Sequence, residues 1–268
     1  MKIDLHIHSN HSFDGKSSVE SLLDNAKEAG LDAIAITDHD NMSACGVAKK
    51  VANNIVIIPG MEITSEGGTH IIGLFLKEEI VSRNITEIID EIHEQGGLVL
   101  LPHPYRAGTG LVYNRDKMNL FNGEDMVQIL SGVDLIEAVN ARCSQDAMVN
   151  TDRYLALHPD IPQTASSDAH VDYEVGSAYV DLEKVKSNSL DDIREALLYS
   201  PRTMRFEVYC DEKERETRTV RLGGKKKSLM LRTRKLVPPY IRKSIQTIYE
   251  KSAGKLMHPR RDKIKEER

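Results

Sequence analysis

Cysteine and long apolar runs are scarce in this chain of 268 residues. The three cysteines, Cys45, Cys143 and Cys210, are widely spaced and odd in number, which argues against a disulfide framework. No apolar run is long enough to cross a bilayer, so a transmembrane helix is not expected. Residues 2–8 form a strand-like segment instead of the basic and apolar regions of a signal peptide. These absences favour a reducing, cytoplasmic setting.

Lysine and arginine are scarce in the first part of the chain. Residues 1–210 hold 17 Lys and Arg against 33 Asp and Glu, a net charge of −16, whereas residues 211–268 hold 19 against 8, a net charge of +11. An acidic body repels anionic substrates unless metal ions or local arginines reverse the sign at the site. The split predicts a main domain over 1–210 and a basic C-terminal extension over 211–268.

The basic extension has a pattern of its own. A Gly-Gly turn between two basic stretches indicates a hairpin. Residues 241–249 carry isoleucine and tyrosine at helical spacing, which indicates a helix. The last ten residues are rich in charge, and we expect them to be disordered. Its partner is open: a nucleic acid, an anionic membrane surface, or the acidic main domain. The opposite net charges within one chain favour docking on the main domain.

Short apolar strands alternate with helical segments through residue 210. The predicted strands are 2–8, 32–38, 55–63, 69–76, 98–104, 134–140, 163–170 and 177–182, and the predicted helices are 17–30, 43–53, 85–97 and 190–200. We expect the strand at 69–76 to pair with the one before it across Gly67-Gly68. Repeated β–α units with continuously apolar strands indicate a parallel sheet covered by helices, in which the chemistry gathers at the strand ends.

Nine side chains that can bind a metal lie at or near the ends of these strands. They are His6, His8, Asp14, His39, Glu62, His70, His103, Asp168 and His170. His6 and His8 are two residues apart on a strand, which places both imidazoles on the same side. A single histidine at a strand end is usually a packed core residue, but five strand ends that all carry His, Asp or Glu predict a metal site.

The ligand types and their number indicate which ions bind. Imidazole and carboxylate without thiolate suit Zn²⁺, Mn²⁺ or Fe²⁺ at a hydrolytic centre. A catalytic zinc takes three protein ligands and keeps one position open, so nine ligands predict two or three ions, with Glu62 or Asp168 as a bridge. Two ions that share a hydroxide lower the pKa of that water, which makes it a nucleophile for hydrolysis.

Five motifs follow one another over residues 1–205: DLHIHSNHSFDG, AITDHD, PGMEI with THIIGL, PHP, and SSDAH. In this order and spacing they resemble the successive motifs of the PHP (polymerase and histidinol phosphatase) family, and especially its small stand-alone members. The resemblance implies a distorted (β/α)7 barrel, here with a basic C-terminal appendage, and a phosphoesterase activity that uses two or three divalent ions.

The resemblance also implies how the ligands are shared among the ions. His6, His8, Glu62 and Asp168 are implied for one ion, and Glu62, His70 and His103 for the second. The third ion is implied at Asp14, His39 and His170, with Asp14 in a position where some family members have histidine.

Phosphate recognition calls for guanidinium groups, because they match phosphate geometry with two parallel hydrogen bonds. Arg106 and Arg142 both follow strand ends, and we expect them to contact the phosphate; the alternative for each is a surface ion pair. The remaining candidates are Asn140 and His11 for substrate binding, and Asp38 and His39 for proton transfer.

The leading hypothesis is a metal-dependent phosphoesterase that acts on a small phosphomonoester, a nucleotide or a short nucleic acid. The resemblance to the small stand-alone members favours nucleotides and nucleic acids. A protein-tyrosine phosphatase or a histidinol-phosphate phosphatase of PHP type is the second interpretation. The third is a non-catalytic module, as in some polymerase-attached PHP domains that have lost ligands; this chain keeps every expected ligand position.

Overall fold

The computed structural model describes residues 1–118 and 123–206, and within them one nine-stranded sheet curls into a nearly closed barrel. The strands are β1 (Lys2–Ile7), β2 (Ala33–Ile36), β3 (Val56–Thr64), β4 (His70–Leu74), β5 (Leu98–Leu101), β6 (Leu135–Asn140), β7 (Gln163–Ser166), β8 (Ala178–Leu182) and β9 (Arg202–Phe206). The helices are α1 (Val19–Glu28), α2 (Ser43–Val51), α3 (Ile85–Glu94), α4 (Leu111–Met118), α5 (Gly123–Ser131), α6 (Gln145–Leu155) and α7 (Leu190–Tyr199).

The strand order across the sheet is β7-β6-β5-β4-β3-β2-β1-β8-β9. Neighbours are parallel within β1–β2–β3 and within β5–β6–β7, whereas β4 is antiparallel to both β3 and β5, and β8 to both β1 and β9. A parallel bridge joins Ile7 to Ala169, and the His8 amide donates to the Ala169 carbonyl at 2.8 Å. This bridge brings the ends of β1 and β7 together and so closes this end of the barrel in the described chain.

The helices cover the barrel with apolar stripes. In α3 the buried side chains recur at helical spacing: Ile85, Ile88, Ile89 and Ile92. Asn84 caps this helix, because its side-chain oxygen accepts from the amides of Thr86 and Glu87. Each buried isoleucine stabilises the fold by about 1.5–3 kcal/mol relative to an exposed one, so packing on the sheet determines where the helix lies. Every helix within residues 1–118 and 123–206 is too short or too polar to cross a bilayer.

The predicted β/α barrel is confirmed, and so is the hairpin across Gly67-Gly68, in which Glu62 pairs with Ile72. The predicted strand 163–170 is shorter in the structure: β7 ends at Ser166, since Asp168 has a left-handed backbone with φ of 53°. The sequence analysis did not predict α4, α5, α6 or β9. The predicted boundary at residue 210, and the hairpin, helix and disordered end of the extension, lie outside the described residues.

Candidate metal centre

All nine predicted ligands converge at the end of the barrel where β1, β2, β3, β5 and β7 terminate. Their ligand atoms form four overlapping groups, in each of which the atoms lie within 4.8 Å of one another. The groups are His8–Asp14–His39–His170, His6–Glu62–His103, His6–His8–Asp168 and His39–Glu62–His70. Because His6, His8, His39 and Glu62 each belong to two groups, the four form one continuous centre.

The Glu62 carboxylate lies in the middle of this centre. Its two oxygens are 2.8–3.5 Å from ring nitrogens of five histidines: His6, His8, His39, His70 and His103. Burial raises the pKa of Glu62, but the neighbouring His6 and His70 outweigh it and hold that pKa well below its usual range. A buried, ionised carboxylate with imidazoles on both oxygens has the geometry of a bridging ligand.

The contacts of His6 test whether the centre suits a metal. Its Nδ1 lies 2.9 Å from a Glu137 carboxylate oxygen, which can only accept, so Nδ1 carries the proton. Its Nε2 then presents a lone pair, yet it lies 3.0 Å from His8 Nε2 and 3.2 Å from Glu62 Oε2. Lone pairs cannot be directed at each other in a buried site without a positive charge between them, which a proton or a metal ion can supply, and the donor set of imidazoles and carboxylates fits a divalent ion.

Asp168 contributes a second buried carboxylate. Its Oδ1 lies 3.5 Å from Nε2 of both His6 and His8 and has no hydrogen-bond donor within residues 1–118 and 123–206. Its Oδ2 accepts from Arg106 Nη1 at 3.0 Å and from Asn140 Nδ2 at 3.2 Å. One oxygen is thus held by protein donors, while the other is directed at the histidines as a metal ligand would be.

The third group lies at the more open edge. Asp14 Oδ2 is 2.8 Å from His170 Nε2 and 3.4 Å from His39 Nε2. Burial raises the pKa of Asp14, but the hydrogen bonds to His170 and His39 prevail and hold that pKa far below its usual value. The side chain of Asp14 is 29% exposed, against 2% or less for Glu62 and Asp168, so an ion here is the most accessible to a substrate.

The protonation of the histidines follows from burial and neighbouring charge. Burial lowers the pKa of His103. Burial and the charge of His8 together lower the pKa of His170. Both rings are therefore neutral and able to bind a metal. Burial also lowers the pKa of His8, but the neighbouring carboxylates of Asp168 and Glu62 overcome it and raise the value to about 9. Without a metal ion, a proton on His8 therefore neutralises part of the carboxylate charge.

Two of the candidate ligands have unusual backbone conformations. His103 has a φ of 28° and Asp168 a φ of 53°, values that cost a non-glycine residue about 1–3 kcal/mol. Both residues lie two positions after the end of a strand, and their side chains lie in the centre. The surrounding hydrogen bonds hold the turns in place, as the Glu137 carboxylate does by accepting from the His103 amide at 2.8 Å.

Sequence reasoning missed two buried carboxylates: Glu137, which contacts the ligands, and Asp4, which fixes the backbone near Asp168. Glu137 accepts from His6, His103 and Asn140, and Asp4 accepts from the amides of Ser167 and Gly176, each at 3.0 Å. Burial raises the pKa of Asp4 to about 6. The available signal was a carboxylate inside an otherwise apolar strand, DLIEAVN for Glu137 and KIDLHIH for Asp4.

The predicted phosphate-binding residues lie at the edge of the centre. Arg106 Nη1 contacts Asp168, and Arg142 Nη1 lies 3.2 Å from Glu174 Oε2. The Asn140 amide donates to both Glu137 and Asp168. Each of these side chains is therefore oriented by a carboxylate next to the ligands, and their roles toward a substrate stay predictions.

Asp38 and His11 belong to none of the four ligand groups. Both oxygens of Asp38 accept from Ser9, one from its amide at 2.6 Å and the other from its hydroxyl at 2.7 Å. His11 is exposed, with Nδ1 2.7 Å from Ser43 Oγ. These contacts hold the loop after β1 against the loop after β2, and the Glu62 amide donates to the Asp38 backbone carbonyl at 3.2 Å.

Comparison with known proteins places this centre in a family. The family model for the PHP domain matches residues 4–150, and the model for the PHP-associated region matches residues 152–199. The chain belongs to the PHP family. The uncharacterized protein MJ0417 of Methanocaldococcus jannaschii is 32% identical to this PHP protein over 197 residues, which is 72% of this chain and 75% of the relative.

Solved structures show the same PHP fold at lower identity. A two-domain protein of Bacteroides vulgatus that contains a predicted PHP-like metal-dependent phosphoesterase matches with a TM-score of 0.61 at 22% identity, covering 77% of this chain and 64% of that one. The lesion-specific endonuclease PfuEndoQ of Pyrococcus furiosus matches with a TM-score of 0.56 at 17% identity, covering 76% of this chain and 57% of that one. The PHP family comprises metal-dependent phosphoesterases that bind divalent ions, which the nine converging side chains fit.

Proposed function

We propose that this PHP protein hydrolyses phosphate esters with two or three divalent ions held by its nine converging histidine, aspartate and glutamate side chains. The observation that carries the proposal is the contact of one buried carboxylate, Glu62, with five imidazoles. Such ions, when bound, supply an activated water and positive charge beside the phosphate oxygens. Zn²⁺, Mn²⁺ and Fe²⁺ all suit these ligands.

Two arginines, Arg106 and Arg142, bind the phosphate of the substrate in this proposal. Arg106 and Arg142 lie beside Asp168 and Glu174, with side chains 27% and 13% exposed. These carboxylates hold each guanidinium at the edge of the centre, where its planar donors match a phosphate. Positive charge at this edge also counters the net charge of −16 of residues 1–210, which otherwise repels an anionic substrate.

Proton transfer to the leaving group requires a residue close to the ions. Asp38 and His39 are the candidates, and the contacts favour His39. Both oxygens of Asp38 are engaged by Ser9, whereas His39 Nε2 lies 3.4 Å from Asp14 and 3.5 Å from Glu62 and can transfer a proton in the two-ion form, in which His39 holds no ion. Asp38 in this account fixes the loop that carries Asp14.

The substrate class that we propose is a nucleotide or a short nucleic acid. Support comes from the resemblance to small stand-alone PHP proteins and from the endonuclease Q structures, one of which contains duplex DNA with an abasic lesion and covers 73% of this chain at a TM-score of 0.51. The basic extension over 211–268 is proposed to dock on the acidic main domain; an alternative partner is the substrate nucleic acid.

The direct test is a phosphate-release screen of the full-length, metal-loaded protein. The substrates are nucleotides, oligonucleotides, sugar phosphates, histidinol phosphate and phosphotyrosyl peptides. We expect release from nucleotides or oligonucleotides, and a loss of at least about 100-fold in the Glu62→Gln variant. Glu183→Gln, an exposed glutamate outside the centre, is the matched control. Full metal loading without release from any of these substrates contradicts the proposal and favours the non-catalytic module.

A further inference from the structure

An exposed aromatic ring lies on the outer side of the metal centre. Phe13, in the loop after β1, is 85% exposed. One face of its ring packs on the imidazole of His39, with ring centroids 4.9 Å apart and planes 26° apart. The high exposure leaves the opposite face open to solvent, directly beside a candidate metal ligand.

Phe13 is the outer end of a loose stack of four rings, in which Phe13 and His39 are close to parallel and the two histidine pairs are tilted by 32° and 37°. The stack begins inside the centre with His170 and His8, whose centroids are 4.3 Å apart. It continues with His8 and His39 at 4.7 Å and ends with Phe13. Flat rings attract each other at such distances, so the solvent face of Phe13 is a position where a fifth ring extends the stack.

The loop that carries Phe13 is fixed by polar contacts that do not involve its ring. Ser9 donates to Asp38, the Ser12 amide donates to the Ser9 carbonyl at 3.0 Å, and the Ser12 hydroxyl donates to Asp14 at 2.8 Å. A Cβ on Gly15 would lie 1.9 Å from the Ser9 carbonyl oxygen, so the loop closes tightly at a glycine. Phe13 is thus held in place before any ligand arrives, which reduces the ordering entropy that binding costs.

We propose that the exposed face of Phe13 binds the nucleobase of the substrate, so that Phe13 selects nucleotides and nucleic-acid ends over phosphate esters without a base. The inference rests on the proposed function and names the part of the substrate that this residue recognises. Stacking on an aromatic side chain tolerates any base, because every base has a π-face.

The position of Phe13 favours a nucleobase over a phosphotyrosyl ring. The imidazole of His39 packs on the inner face of Phe13, so a ring bound on the outer face is separated from this candidate ligand by the whole Phe13 ring. A phosphotyrosyl ring is joined to its phosphate through a single oxygen, so it lies over the ions themselves. A sugar separates a nucleobase from its phosphate, and this spacing allows the base to reach the outer end of the stack.

The first experiment exploits the absence of tryptophan from this chain. Phe13→Trp introduces one fluorophore at the proposed site, in the full-length, metal-loaded protein. We expect adenosine monophosphate to quench it at concentrations about 5- to 100-fold lower than ribose 5-phosphate, which has the sugar and phosphate but no base. Leu157→Trp is the matched control, because Leu157 is 77% exposed and follows the end of α6 that points away from the centre. No base-dependent quenching in this control is expected.

The second experiment compares turnover of the same two compounds. In Phe13→Ala we expect the ratio of kcat/KM for adenosine monophosphate to that for ribose 5-phosphate to fall by about 5- to 100-fold, and in Leu157→Ala to stay unchanged. Equal losses on both substrates, or quenching of Phe13→Trp by a phosphotyrosyl peptide but not by the nucleotide, overturn the inference. Base-dependent quenching without phosphate release from any substrate supports the inference and contradicts the proposed hydrolysis.

Discussion

Single residues around the ligands decide how well the centre can hold an ion. Glu137 accepts from His6 Nδ1 and thereby leaves His6 Nε2 as a lone-pair donor, and it also accepts from the His103 amide. A carboxylate behind a histidine ligand fixes the ring's tautomer and orientation and raises its basicity. Glu137 thus acts on the metal through two ligands without binding it.

The variant Glu137→Gln tests this role. We expect the affinity for Zn²⁺ or Mn²⁺ to fall by about 10- to 100-fold, because an amide both weakens the acceptor and can present a donor to His6. Competition with a chelator measures the change, and Glu183→Gln is the exposed control. An unchanged affinity in Glu137→Gln, with native far-UV circular dichroism, contradicts the role assigned to this residue.

The raised pKa of His8 predicts a pH dependence of metal binding. Below its pKa of about 9, His8 carries a proton that an incoming ion must displace. Burial lowers the pKa of His6, but the charges of Asp168 and Glu62 raise it well above its usual range, so His6 adds a second proton to displace. The apparent affinity should therefore rise with pH by about tenfold per pH unit for each proton displaced. His103 and His170, with lowered pKa values, are already neutral at pH 7 and add little. Chelator competition between about pH 7 and 9.5 measures the slope; a flat profile contradicts the assignment of His8.

At the scale of helices and strands, a substitution in a helix on the outside of the barrel should change the stability of the fold without changing its metal affinity. The cap residue Asn84 begins α3 on the outside of the barrel, and its contacts are with the first turn of that helix. We expect Asn84→Ala to lower the free energy of unfolding by about 1 kcal/mol, measured with urea, and to leave metal affinity unchanged. Asn84→Ser, which keeps a capping oxygen, is the matched control and should retain most of the stability. A loss of metal affinity in Asn84→Ala argues against this separation.

The elements that sequence predicts well are those with a strong apolar pattern. Isoleucine spacing predicts α3, and apolar runs predict β1 to β6 to within a few residues. The end of β7 is different, because the left-handed turn at Asp168 depends on contacts from β1 and β6 that a local pattern does not contain. The exposure of Phe13 likewise depends on where two loops meet in space. The sequence analysis therefore named its neighbour Asp14 as a ligand but did not name Phe13 as a binding residue.

At the scale of the whole molecule, closure of the barrel brings the metal-ligand residues together from distant parts of the chain. His6 and Asp168 are separated by most of the described chain, and the bridge between Ile7 and Ala169 brings their strands side by side. Sequence predicts that the nine residues end strands, and the common direction of parallel strands predicts that they meet. The strand pattern alone leaves Glu62 and Asp168 as alternatives for the shared carboxylate, since the choice depends on the β3–β4 hairpin and on the twist of the sheet; only the family resemblance implied Glu62.

Anomalous X-ray scattering from crystals grown with Mn²⁺ is the most direct measurement of the central claim. We predict two or three peaks around the Glu62 carboxylate, with neighbouring ions about 3.5–4 Å apart and the histidine nitrogens of the four groups as ligands. A crystal that shows no peak at Glu62, with the nine side chains hydrogen-bonded only to one another, contradicts the account.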